Sequence, residues 1–163
     1  MTARKVPVEI SARHVHLSAV HLAALFGPSS TLGVLKEISQ PGQFAAQETV
    51  TVIGPQGELG ARVVGPVREA TQVELTSTEC WQIGLPVVLR VSGNLAGTPG
   101  CRLRGPAGEV ELSEGVVVVQ RHLHISPEQA KEWKLKHGDT VSIATSGNRP
   151  VTFHDVYVRS RSG

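Results

Sequence analysis

Two His-x-His pairs are the residues best suited to chemistry: His14 with His16, and His122 with His124. Imidazole is the most frequent protein ligand for transition metals, and zinc takes histidine together with carboxylate. One such pair is ordinary, because single histidines serve on surfaces and in cores. Here the pair recurs in a matching context. Arg13-His14-Val15-His16-Leu17-Ser18 returns as Arg121-His122-Leu123-His124-Ile125-Ser126, so the two copies hold four of the 7 histidines. That repetition points to a metal site. Each pair is expected where a strand gives way to a helix, with a bend at the strand terminus bringing both rings to one ion.

Glu74 is the carboxylate that could join them. In Thr71-Gln72-Val73-Glu74-Leu75, Gln72 and Glu74 share one face of an alternating strand. That face is either solvated or turned toward a metal. Arg68 follows Gly65-Pro66-Val67, a turn that presents it at a strand mouth. A guanidinium there is either a surface charge or a two-pronged holder of phosphate. His21 and His137 read as helix-face and turn residues. His154, beside Asp155, reads as a strand residue, with further metal ligation as the alternative. Cys80 and Cys101 have no histidine near them in the chain. With no signal-peptide pattern over Met1–Pro7, they are expected to be reduced thiols of a cytoplasmic protein.

The elements that must position these groups are short strands joined by tight turns. The chain has 163 residues, 17 Gly, 10 Pro and 40% hydrophobic residues, enough for one compact unit or two small lobes. A net charge of +2 gives no case for nucleic acid, and no apolar run reaches the length of a membrane span. Strands are expected over Val6–Ile10, Thr49–Ile53, Ala61–Val64, Gln72–Leu75, Val87–Val91, Val110–Leu112, Val116–Val119, Thr140–Ala144 and Val151–Val158. Gly54-Pro55-Gln56-Gly57 and Gly105-Pro106-Ala107-Gly108 read as hairpin turns. Ser18 caps a helix with Leu22, Leu25 and Phe26 on one face, stopped by Gly27-Pro28. Ser126, Pro127 and Gln129 form a capping box opening another, and a third helix spans Thr78–Ile83. The tail from Arg159 to Gly163 is expected to be loose. The fold class is mainly β with short helices, in two small β-barrel-like lobes built from the repeat. One lobe is discontinuous, residues 1–12 with 120–163, with the N-terminal strand pairing into it. Residues 13–119 form the other.

Several stretches, in order along nearly the whole chain, resemble the PduL-type phosphotransacylases of propanediol utilisation, also called phosphate propanoyltransferases. They are Val8 to Leu17, Leu35-Lys36, Ser39 to Val50, Gly65 to Arg68 with Thr71 to Glu74, Ser92-Gly93 with Gly97 to Gly100, and Arg121 to His124. The resemblance implies two barrel-like lobes with a pair of zinc ions between them. His14 and His16 would hold one ion; Glu74, His122 and His124 would hold the other. Arg68, joined by Arg159, would hold phosphate, and Ser11, Lys36 and Arg62 match positions lining the coenzyme A site. Family members continue beyond the strand ending near Arg159 with a segment carrying another zinc-binding histidine, whereas this sequence ends at Gly163. Truncation, another ligand and a weakened metal site are the alternatives. Members targeted to bacterial microcompartments often carry an N-terminal amphipathic extension, and none precedes Met1 here.

The expected reaction is acyl-CoA plus phosphate giving acyl phosphate plus coenzyme A. It needs no serine or cysteine nucleophile, because phosphate held against the thioester can attack directly. Two rival readings remain. One is a zinc-dependent thioester hydrolase, with water in place of phosphate. The other is an inactive zinc-binding relative that serves as a binding module. A homo-oligomer and microcompartment association are further expectations from the family.

Overall fold

The computed structural model describes residues 4–40 and 42–160. The chain is mainly β, with three short helices among the described residues. A nine-stranded sheet curls into a half barrel, and a separate three-stranded sheet stands at the C-terminal end.

The large sheet is organised around a three-residue strand, β1 (His14–His16). It runs parallel to β4 (Gly57–Gly65) and antiparallel to β5 (Gln72–Glu74). The path through the sheet is β6 (Leu89–Arg90), β9 (Val116–Val119), β5, β1, β4, β3 (Phe44–Gly54), β7 (Cys101–Arg104) and β8 (Glu109–Leu112). The edge strand β2 (Val34–Glu37) pairs with β3 off this path. Both expected hairpin turns form, joining β3 to β4 and β7 to β8. Gly54 is required at the first turn by close approach. A Cβ there would lie 2.3 Å from the Ile83 carbonyl oxygen.

Alternation along β1 and β5 separates two chemistries. Val15 and Val73, both fully buried, enter the main apolar core with Leu17, Leu25, Val63, Ile83 and Leu103. Full burial of such side chains stabilises by about 1.5–3 kcal/mol each. His14, His16, Gln72 and Glu74 therefore occupy the opposite face of the same two strands.

The helices follow their capping chemistry. Ser18 caps α1 (Ala19–Phe26) by accepting the His21 amide, and Gly27 closes it. Thr76 and Glu79 form a capping box on α2 (Ser77–Gln82), and Ser126 and Gln129 form one on α3 (Pro127–Trp133). The small sheet has the order β10 (His122–Ile125), β12 (Thr152–Ser160), β11 (Thr140–Ala144), with β10 parallel to β12. Its core is slight: Ile125, Ala130 and Val158, with Leu123, Trp133, Leu135 and Val141 packed against them.

Two local expectations are corrected. No strand forms over Val6–Ile10. Ile10 is 98% exposed, and Pro7 lacks the amide a ladder would need. Side-chain contacts hold this segment instead: the Arg4 guanidinium lies 5.5 Å from the Trp133 ring centroid, and Ser39 Oγ donates to Glu9. Arg159 and Ser160 are not loose but belong to β12, paired with His124 and Ile125. Residues 161–163 of the expected tail lie outside the described residues. No helix among the described residues is long and apolar enough to cross a membrane.

Candidate functional site

Strand pairing builds the first cluster. In the β1–β5 ladder His14 stands opposite Glu74, and His16 opposite Gln72. Directly opposed residues share a face and come within contact distance. The Glu74 carboxylate accordingly lies 3.4 Å from His14 Nε2 and 3.7 Å from His16 Nε2. The two rings meet edge to face, with centroids 4.9 Å apart. No bend at a strand terminus is involved. Residues i and i+2 of a strand already point the same way, so the ladder itself brings the rings together.

Each ring is oriented from behind. His14 Nδ1 lies 2.8 Å from the Ala12 carbonyl oxygen, and His16 Nδ1 lies 2.9 Å from that of Val64. A carbonyl oxygen can only accept, so each Nδ1 carries the hydrogen and donates, leaving Nε2 as the inward nitrogen. In neutral rings, two lone pairs then face an anionic carboxylate. That arrangement is repulsive unless a proton or a cation stands among the three.

The electrostatics express this competition. Burial alone would raise the Glu74 carboxyl, but its contacts with His14 and His16 hold it well below the usual carboxylate range. Burial also works against charge on His14, yet the Glu74 contact and the Ala12 carbonyl raise that ring above its ordinary value. In His16 burial prevails and the ring is lowered. One carboxylate is shared by two imidazoles, and it favours charge on His14 more than burial allows on His16.

The donor set passes the test for a metal ion. Two imidazole nitrogens and one carboxylate oxygen all lie within 4.8 Å of one another, the one group of three of its kind among the described residues. Zinc bonds of about 2.0–2.2 Å place tetrahedral ligands roughly 3.3–3.6 Å apart, close to the His–Glu separations here. Backbone carbonyls on the far ring nitrogens are the usual outer support of zinc histidines.

The second pair repeats this plan. His122 Nδ1 donates to the Gln120 carbonyl at 2.8 Å, two residues back, as His14 does to Ala12. The His122 and His124 rings also meet edge to face, with centroids 4.8 Å apart. His124 is pushed down to about 4, by burial first and then by His122 and Arg159, with the Glu74 charge opposing. The resemblance grouped Glu74 with this second pair. Its carboxylate instead touches the first, because the β1–β5 register sets it opposite His14, while its charge still reaches His124.

Arg68 follows the cis Gly65–Pro66 peptide, and its amide donates to the Leu17 carbonyl at 2.9 Å. Its guanidinium is lowered, first by burial and then by Arg159, with Glu74 opposing. Arg68 therefore lies in the fields of both Glu74 and Arg159. Arg159 stands opposite His124 in the β10–β12 ladder and lines a narrow cleft with Ser92, His122 and Tyr157.

The groups expected around coenzyme A are more scattered. Ser11 is exposed ahead of β1, and Lys36 is exposed on β2. Arg62 is partly committed to the fold, donating from one nitrogen to the Ala46 and Gln47 carbonyls across a bulge in β3. His21 contacts Thr71 Oγ1, His137 the Tyr157 hydroxyl and His154 the Ser142 hydroxyl. Both cysteines are buried and free, and burial, then Glu111, pushes the Cys101 thiol up to about 12. Sequence reasoning gave no role to Ser92, named only within a family-like stretch; it contacts Glu74 from 18 residues away. No periodicity could have signalled it.

Residues 7–163 match the family model described as phosphate propanoyltransferase. Among curated relatives of that name, the one from Klebsiella pneumoniae is 46% identical over 161 residues, covering 98% of this chain and 76% of the relative. The Leptotrichia buccalis relative is 49% identical over 155 residues, with 94% and 74% covered. That of Rhodobacter capsulatus is 46% identical over 156 residues, with 95% and 73% covered. The chain thus spans about three quarters of the length of these relatives. On a family match that takes in the whole β1–β12 framework and both His-x-His pairs, this chain belongs to the phosphate propanoyltransferases, a family of phosphotransacylases.

Proposed function

We propose that the chain exchanges a short acyl group between coenzyme A and inorganic phosphate at a zinc site built on His14, His16 and Glu74. The observation that carries this reading is the convergence of two carbonyl-anchored imidazoles on one buried carboxylate, with Arg68 and Arg159 in the same field. His122 and His124, carrying the same orienting contact, complete the site from the small sheet and hold a second ion. A zinc ion, when bound, supplies Lewis acidity toward the thioester carbonyl and the charge that develops on it.

The protein's own groups do the rest. Arg68, aided by Arg159, holds the phosphate and sets its oxygen against the carbonyl carbon. That positioning replaces a bimolecular encounter with an oriented one. The new bond joins phosphate oxygen to the acyl carbon, the C–S bond breaks, and the sulfur leaves as the coenzyme A thiolate. The buried thiols take no part. Ser11, Lys36 and Arg62 line the path of the coenzyme. The segment ending at residue 12 belongs with the lobe of residues 120–163, a division supported by the Arg4 contact with Trp133. Residues 13–119 form the other lobe.

The test is CoA release from a short-chain acyl-CoA with and without phosphate, beside metal content by elemental analysis. Phosphate-dependent release by zinc-loaded protein is expected. Release independent of phosphate would indicate a hydrolase, and bound zinc without turnover would indicate a binding module.

A further inference from the structure

Gln72 has no part in the reaction outlined above, yet it is one of the most buried polar side chains, 2% exposed. Its amide is fully engaged. Nε2 donates to Glu74 Oε1 and, at 2.9 Å, to Ser92 Oγ, while Oε1 accepts the Gly93 amide at 2.7 Å. The Gly93 N–H fixes which end of the amide is oxygen. A flipped Gln72 would set its NH2 group against the Gly93 N–H and its oxygen against the carboxylate's charge. Ser92 Oγ, accepting from Gln72, has one hydrogen left and turns it to Glu74 Oε1 at 3.3 Å.

Two neutral donors thus converge on one oxygen of Glu74, in a pocket where Gln72, Glu74 and Ser92 are all buried. The other oxygen, Oε2, lies 3.4 Å from His14 Nε2; Oε1 is itself 3.7 Å from His16 Nε2, but the Gln72 and Ser92 donors take up its lone pairs. Strand geometry makes the arrangement local: Gln72 and Glu74 are i and i+2 on β5, and they face His16 and His14 across the ladder.

We propose that Gln72 is a positioning residue that, with Ser92, occupies Glu74 Oε1 so that Oε2 alone is presented to a divalent cation between His14 and His16. Gln72 sets both metal affinity and carboxylate denticity without touching the metal. The inference rests on the zinc reading above. Outer partners of metal ligands typically contribute 10- to 100-fold in affinity. Without the amide, Glu74 is free to turn and offer both oxygens.

The experiment measures zinc affinity by competition with a chromophoric chelator. The proteins are wild type, Gln72→Met, Ser92→Ala, Glu74→Ala and the double variant Gln72→Met/Glu74→Ala. Visible spectra of the cobalt(II)-substituted proteins report coordination number. Gln72→Met should lose 10- to 100-fold in affinity and show a weaker cobalt band, as a second carboxylate oxygen raises the coordination number. Ser92→Ala should move both readouts the same way, by less. In the Glu74→Ala background Gln72→Met should cost nothing further, because its effect runs through that carboxylate. Additive losses, or wild-type affinity and spectrum in Gln72→Met, would overturn the proposal. Should Gln72→Met fail to fold, Ser92→Ala alone decides, by the same two readouts and the same loss of effect beside Glu74→Ala. If wild type itself binds no zinc, or binds it unchanged after His14→Ala, the zinc reading fails rather than the role of Gln72 within it.

Discussion

Arg68→Lys distinguishes holding phosphate from holding the fold. The contacts that anchor position 68 are made by its backbone: the amide donates to Leu17, and the residue bridges to Ser18. A lysine keeps them. The half-buried guanidinium lies in the field of Arg159, where each cation disfavours the other and a phosphate dianion would favour both. Lysine preserves the charge but replaces a planar fork with a point, so one of two charge-assisted hydrogen bonds to phosphate is lost. Such a bond contributes about 1.5–3 kcal/mol. At about 1.36 kcal/mol per tenfold, kcat/KM for phosphate should fall roughly 10- to 150-fold. The assay follows CoA thiol release at saturating acyl-CoA while phosphate is varied. A raised phosphate KM with kcat intact places the bond in the ground state; a fall in kcat places it in the transition state. Zinc content, Tm and the KM for the thioester should stay near wild type, since Arg68 is neither one of the three metal-like donors nor a member of the apolar core. A wild-type phosphate curve for Arg68→Lys would refute the assignment and move it to Arg159.

Three other outcomes are expected. Neither Cys80 nor Cys101 should react with a thiol reagent at pH 8 in folded protein, and both should react in denaturant, because burial raises both thiols; rapid native labelling would contradict the packing. Ser126→Ala removes the cap of α3 and should destabilise by about 1 kcal/mol, read as a lower denaturation midpoint with kinetics per folded molecule unchanged. Metal-free protein should lose stability as the pH falls from about 6.5 toward 4. In that window unfolded His124 takes up a proton that the folded ring, lowered to about 4, refuses. Since His124 is exposed by more than a third, solvent screening limits the effect to a fraction of the full linkage. His124→Gln should flatten the Tm profile between those pH values, and an unaltered slope would exclude this source.

The caps and turns were legible because their signals are local. Ser18, Ser126, Pro127 and Gln129 act within one helical turn, and the two Gly-Pro turns close hairpins between adjacent strands. The repeated histidines were legible by recurrence alone. Their geometry was not. That His14 meets Glu74 is a property of β1–β5 register across sixty residues of chain, and strand pairing of that range is set by the whole sheet rather than by either segment. The same cause explains the strand wrongly expected over Val6–Ile10: an apolar alternation signals a strand only if an edge is available to receive it. β2 and β7 were missed for the opposite reason. β2 is exposed along its length and charged at Lys36 and Glu37, and the alternation of β7, Cys101-Arg102-Leu103-Arg104, is too short to stand out.

The two His-x-His pairs sit in unequal mechanical settings. β1 is clasped on both sides, by β4 and β5, above the largest apolar core, whereas β10 has β12 as its one strand neighbour among the described residues and only a slight core beneath it. Backbone amides of the first pair can exchange with solvent only when the centre of the half barrel opens; those of the second are released by fraying one margin of a three-stranded sheet. In the proposed two-pair site, one half is an anvil and the other a jaw. A ligand gripped by both would stiffen the small sheet far more than the large one, so that slowed amide exchange in β10 and β12, rather than any shift in β1, becomes the solution signature of an occupied site.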